Sequence, residues 1–136
     1  MARKLTEIEG IGPTYGAKLA EAGVKSQEEL LTAGSTPKGR SDLEKTTGIS
    51  GKLVLKWINR ADLARVKGIG EEYADLLELA GVDTVPALAQ RNPEHLHKTL
   101  TEVAEARKNT VRRAPAASEV AAWVAAAKEL PRVINY

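Results

Sequence analysis

The sequence predicts an all-α fold of about nine or ten short helices with no sheet, arranged as two copies of one supersecondary unit. Three observations carry this. No window shows the period-2 alternation of a half-buried strand, whereas helical spacing of apolar residues, bounded by start and stop signals, recurs throughout. The turn Gly10-Ile11-Gly12 is written again as Gly68-Ile69-Gly70. Around it, Leu5, Tyr15, Leu19, Ala22-Gly23-Val24 and Leu30 return as Leu63, Tyr73, Leu77, Ala80-Gly81-Val82 and Leu88, making ten identities at a constant offset of 58 between windows 5–30 and 63–88. Self-similarity at a fixed period marks a repeat architecture. Residues 1–61 and 62–136 are the expected copies, packed as one compact unit.

The elements follow in order. A short leading turn at 4–8 runs into Gly10-Ile11-Gly12, where glycine permits backbone angles that a β-carbon forbids. Pro13 suits the first turn of a helix, which carries Tyr15, Leu19 and Ala22 on one face and stops at Gly23, a favoured residue just past a helix end. Ser26 and Glu29 have the spacing of a capping box for a helix ending near Gly34. Thr36-Pro37 opens another, through about Thr46. After the turn Gly48-Ile49-Ser50, a helix from Gly51 to about Ala61 carries Leu53, Val54, Trp57 and Ile58. The cycle then restarts: Leu63 and Val66 take the roles of Leu5 and Ile8, and a helix runs from Glu71 to Ala80. Thr84 begins a short helix, capped by Asp83, and Asn92-Pro93 starts a longer one to roughly Lys108. The segment Val111 to Ser118 stands where Gly48-Ile49-Ser50 would recur. Beyond it Val120-Ala121-Ala122-Trp123-Val124 matches Val54-Leu55-Lys56-Trp57-Ile58 at an offset of 66, an insertion of about eight residues in the second copy.

Composition narrows the function classes. A chain of 136 residues, 43% hydrophobic and 28% charged, reads as globular. It has no cysteine, which excludes disulfides, thiolate zinc sites and cysteine nucleophiles. Met1-Ala2-Arg3-Lys4 is followed by no apolar run of signal-peptide or membrane-span length, so a cytoplasmic protein without membrane contact is expected. The net charge of +2 hides an uneven distribution. Residues 1–60 hold 10 Lys and Arg against 7 Asp and Glu, residues 61–102 hold 4 against 8, and residues 103–136 hold 6 against 3. The ends are basic and the middle acidic.

A short helix, an apolar-Gly-Ile-Gly turn and a second helix with alanine and leucine on one face resemble the helix-hairpin-helix family. The residues that carry the resemblance are Ile8-Glu9-Gly10-Ile11-Gly12, Val66-Lys67-Gly68-Ile69-Gly70 and, more weakly, Thr46-Thr47-Gly48-Ile49-Ser50. The whole chain also resembles an uncharacterised bacterial domain-of-unknown-function family of tandem hairpins, with residues 1–90 matching that pattern best. The resemblance implies two tandem double helix-hairpin-helix units, the last hairpin degenerate, and contacts from the turns to the backbone of DNA without sequence readout.

The physics of such a contact stands apart from the resemblance. A glycine turn lets main chain approach a ligand, and it precedes a helix whose first N–H groups are unpaired and carry the positive end of the dipole. A phosphate docks there readily. The family adds a basic side chain two residues after the turn. Lys52 holds that position after Gly48-Ile49-Ser50-Gly51, with Lys56 and Arg60 further along the helix, so this is the expected principal contact. Gly10-Ile11-Gly12 is the second, lacking the basic residue, with Lys18 the nearest charge. Glu71, Glu72 and Asp75 after Gly68-Ile69-Gly70 would repel a phosphate. Arg107, Lys108, Arg112 and Arg113 precede the glycine-free fourth turn and are expected to form a second basic patch. The structural alternative is that all four turns only join packed helices, the isoleucine plugging the core.

Other residues point away from chemistry. Tyr15 and Tyr73, and Trp57 and Trp123, sit at matched positions inside apolar faces and are expected in the core. His95 and His97, two apart on a helix, face directions about 200° apart and cannot share a metal. Asp83 superficially matches the aspartate of hairpin DNA glycosylases, but its spacing from the turn is too short and the lysine of that chemistry is missing. No phosphate-loop lysine motif and no nucleophile with a base is evident. The expected protein is not an enzyme, carries no cofactor or metal, and binds DNA weakly and non-specifically, with dissociation constants of roughly 10⁻⁴–10⁻⁶ M. The alternative is a protein-interaction adaptor or self-associating scaffold, in which the acidic face of Glu71, Glu72, Asp75 and Glu78 meets a basic partner.

Overall fold

A computed structural model describes residues 3–8, 10–107 and 113–135. These residues form eight α-helices and one 3-10 turn, with no strand among them. The 3-10 turn spans Leu5–Glu7, followed by α1 (Pro13–Glu21), α2 (Gln27–Ala33), α3 (Pro37–Thr47), α4 (Gly51–Leu63), α5 (Glu71–Leu79), α6 (Val85–Ala89), α7 (Pro93–Ala106) and α8 (Ala117–Glu129). The expected nine or ten helices become eight because α4 does not stop near Ala61. Leu63 is the last residue of α4, and Val66 N donates back to Leu63 O at 3.0 Å in the turn that follows, so no separate leading helix forms.

Most helix starts obey the local chemistry of the sequence. Ser26 accepts a hydrogen bond from Glu29 N, and the Glu29 carboxylate accepts from Lys25 N at 3.1 Å, one residue before the cap. Thr36 Oγ1 accepts from Gly39 N, and Asn92 Oδ1 accepts from His95 N. At α6 the cap is Thr84, whose hydroxyl accepts from Ala87 N at 3.1 Å, and not Asp83, which is exposed. The Thr84 hydroxyl lies three residues ahead of the Ala87 amide and reaches it directly, the spacing of an N-cap, whereas Asp83 lies one residue further back.

The chain divides into two compact units, one made of Met1–Asp62 with Arg132–Tyr136 and the other of Leu63–Pro131. The first unit's core includes Leu5, Ile8, Ile11, Leu19, Val24, Leu30, Trp57 and Ile58, completed by Ile134, which is 2% exposed. The second buries Leu63, Val66, Ile69, Leu77, Val82, Leu88 and Trp123 around residues of α7 and α8. These units break after Asp62, and Arg132–Tyr136 group with the first of them. An apolar residue at 134 carries no local sign of which core it enters.

Within each unit the turn and the first long helix share one geometry. Ile11 N donates to Ile8 O and Ile69 N to Val66 O, both at 3.1 Å. Gly10 and Gly68 have φ of 95° and 92°, the left-handed region that favours glycine. At the ends of α1 and α5, Val24 N reaches Leu19 O and Val82 N reaches Leu77 O, both at 2.8 Å, closing each helix past a left-handed glycine. Each aromatic pair is tilted, with centroids 5.2 Å apart for Tyr15 and Trp57 and 5.1 Å for Tyr73 and Trp123. The tryptophans are buried and the tyrosines half-buried. Such pairs add about 0.5–1.5 kcal/mol beyond the area they bury. No helix among the described residues is long and apolar enough to cross a membrane.

Candidate nucleic-acid interface

The turn at Gly10-Ile11-Gly12 presents bare main chain. Ile11 is buried and plugs the core, which turns its neighbours outward. Gly12 caps α1 from an extended conformation (φ −90°, ψ −171°) and, as a glycine, offers the helix start no side-chain acceptor of its own. Pro13 removes one amide, and the first helical hydrogen bond from the turn is Gly16 N to Gly12 O at 2.9 Å. A β-carbon added at Gly12 would meet nothing within 4 Å. Neither conformation nor packing requires glycine there. Thr14 and Lys18 are exposed on the helix that follows, with Lys18 Nζ 6.0 Å from the Tyr15 ring centre.

The turn at Gly48-Ile49-Ser50 is more occupied. Gly48 ends α3 in the left-handed region at φ 73°, and Ile49 is buried. Ile49 N donates to Thr47 Oγ1 at 3.2 Å, while Ser50 Oγ accepts from Lys52 N at 3.2 Å. A β-carbon at Gly51 would meet Glu44 Oε2 at 2.8 Å, so a carboxylate lies against the start of α4. An acidic group there satisfies the helix dipole and opposes a second anion. Lys52 and Lys56 are exposed, but Arg60 is 6% exposed and does not extend their row as expected. The sequence pattern did not flag Glu44, which sits in the last turn of α3 and points its carboxylate across the turn at Gly51. Ser50 was readable as a helix cap from its place before Gly51.

The turn at Gly68-Ile69-Gly70 reproduces the first. Gly70 caps α5 at φ −93° and ψ −169° without a side-chain bond, and its β-carbon position is also open. Glu71 and Glu72 follow it, both exposed.

Of the four residues expected to form a second basic patch, two fall within the described part of the chain. Lys108 and Arg112 lie outside the described residues. Arg107 is exposed just past α7, but Arg113 is committed: its guanidinium donates to Glu119 Oε1 at 2.9 Å and Oε2 at 3.2 Å. Glu119 also accepts from Ala116 N, and Tyr73 Oη donates to Arg113 O. The hydrogen bond from Arg113, then that from Ala116 N, holds the Glu119 carboxyl below its ordinary range, and the same ion pair raises the Arg113 guanidinium. Arg113 thus closes the turn before α8. His95 is exposed and His97 half-buried, and no group of three or more metal-ligating side chains occurs among the described residues.

These helices and turns define an all-helical protein whose distinctive surface is a set of glycine turns leading into helices. The chain belongs to a family described as a domain of unknown function (DUF4332), whose model matches residues 9–130. No curated protein and no solved structure matches it.

Proposed function

We propose that the chain is built of two tandem double helix-hairpin-helix units and binds the backbone of DNA without reading sequence, as a non-enzymatic protein. One observation carries the reading. Gly12 sits in a conformation open to any residue, with empty space where a β-carbon would stand. Glycine is a tolerated N-cap residue, yet it supplies no side-chain oxygen to the first amides of α1. With open space around it, an external group can approach the start of that helix, the arrangement that suits a phosphate. The internal caps and Glu44 at the Lys52 turn reverse the order expected from sequence: the first turn leads, and Lys52 and Lys56 add long-range charge.

Fluorescence anisotropy of labelled duplex and single-stranded DNA, titrated with salt, tests this. The wild type is expected to bind at about 50 mM salt, in the roughly 10⁻⁴–10⁻⁶ M range, and to weaken as salt rises. Gly12→Asp caps α1 with its own carboxylate and should weaken binding strongly, and Lys52→Glu should weaken it less. No binding at low salt, or unchanged curves in both variants, sinks the proposal.

A second reading is favoured by Gly70, which is as bare as Gly12 yet is followed by exposed Glu71 and Glu72. That turn suits a basic protein segment. Binding of a polylysine peptide, lost in Glu71→Lys with Glu72→Lys while DNA binding stays absent, would establish this adaptor role instead.

A further inference from the structure

The first unit holds an extended segment in a slot. Ile134 is buried in the core and Val133 packs beside it. Asn135 N donates to Ser35 O at 2.8 Å, on the turn between α2 and α3. The Arg40 guanidinium bridges the two partners, donating to Gly34 O and to Asn135 O, each at 2.8 Å. Arg132 Nε donates to Ile134 O at 3.0 Å and shapes the segment. Recognition thus includes the apolar side chains of Ile134 and Val133 and main-chain groups of Asn135 held by Ser35 and Arg40.

The approach to this segment is short and irregular. Leu130 is extended (φ −77°, ψ 133°), as a residue before proline prefers. Pro131 O accepts from Arg65 Nη2 at 3.1 Å, and no helix or strand follows to Asn135. Withdrawing the segment therefore unravels no regular element. Inserting the same segment from another molecule restores every contact, leaving only the entropy of association to be met.

We propose that this slot also takes segment 132–135 of a second copy, so that the protein forms dimers by reciprocal exchange. The cis segment competes at an effective concentration of about millimolar order. Exchange consequently becomes comparable with closure when chains refold at about that concentration, while dilute refolding gives closed monomers. The proposal does not depend on nucleic-acid binding.

The chain has no cysteine, which permits a direct test. Ser35→Cys and Asn135→Cys are made in separate full-length chains of distinguishable mass, then refolded together at about 1 mM and oxidised. Intact mass and peptide mapping should find the 35–135 disulfide between chains several-fold in excess over 35–35 and 135–135. Adding Ile134→Asp to the second chain should remove that excess. Wild type refolded at the same concentration should contain a dimer by light scattering. Monomer alone in the wild type, or the three disulfides in random proportion, would overturn the proposal. The wild-type arm needs no substitution to fold.

Discussion

At the scale of single residues, the two glycines of one turn have opposite roles. Gly10 is left-handed, and its β-carbon would stand 3.3 Å from Trp57 Nε1; at Gly68 the corresponding distance to Trp123 is 3.0 Å. Gly10→Ala is expected to cost about 1–3 kcal/mol in backbone strain, with added crowding of the indole. Gly12→Ala meets neither strain nor crowding but puts a poor N-cap residue at the start of α1, so it should cost less than Gly10→Ala, at most about 1 kcal/mol. Urea midpoints at constant slope check the difference. The sequence pattern Gly-Ile-Gly treats the two alike; the difference lies in φ. Glu119 gives a pH signature. Its carboxyl is held below its ordinary value by Arg113, so its contribution is present above the unfolded pKa and disappears as pH falls through the folded one. Carboxyl chemical shifts should titrate lower in the wild type than in Arg113→Ala, and amide protection at the start of α8 should fall with the same midpoint.

At the scale of elements, caps decide where helices start. α2 has seven residues, too short to persist by propensity, and depends on Ser26 and on its packing through Leu30 and Leu31. Ser26→Ala should cost about 0.5–2 kcal/mol, with hydrogen exchange fastest at the start of α2. Thr36 and Asn92 were legible as caps for the same reason: the hydroxyl or amide oxygen and its target lie three residues apart, within one turn; at α6 the reading fell one residue early, on Asp83 instead of Thr84. What surrounds a turn was not legible. Glu44 against Gly51 and buried Arg60 on α4 depend on contacts that no local spacing encodes. Basic residues four apart, such as Lys52, Lys56 and Arg60, read as one row even though Arg60 is inside.

At the scale of the whole molecule, two cores form on one pattern, and the first is completed by Ile134 from the far end of the described chain. Ile134→Ala should destabilise by about 2–5 kcal/mol, since it empties a filled site. Amide exchange resolved by residue should show lost protection in Met1–Asp62 and near-normal protection in the core of Leu63–Pro131; equal loss in both would contradict the separate cores.

The sequence by itself determined the helical class, the repeated turn, the caps and most of the residues that are buried. Those features rest on spacings of three, four and 58 residues, which are visible along a line. Only the tertiary structure decided which turn stays bare, which cations are committed and where Ile134 goes. Each of these depends on contacts that run between elements: Glu44 near the end of α3 with Gly51 at the start of α4, Trp57 with Gly10, and Arg40 with Asn135.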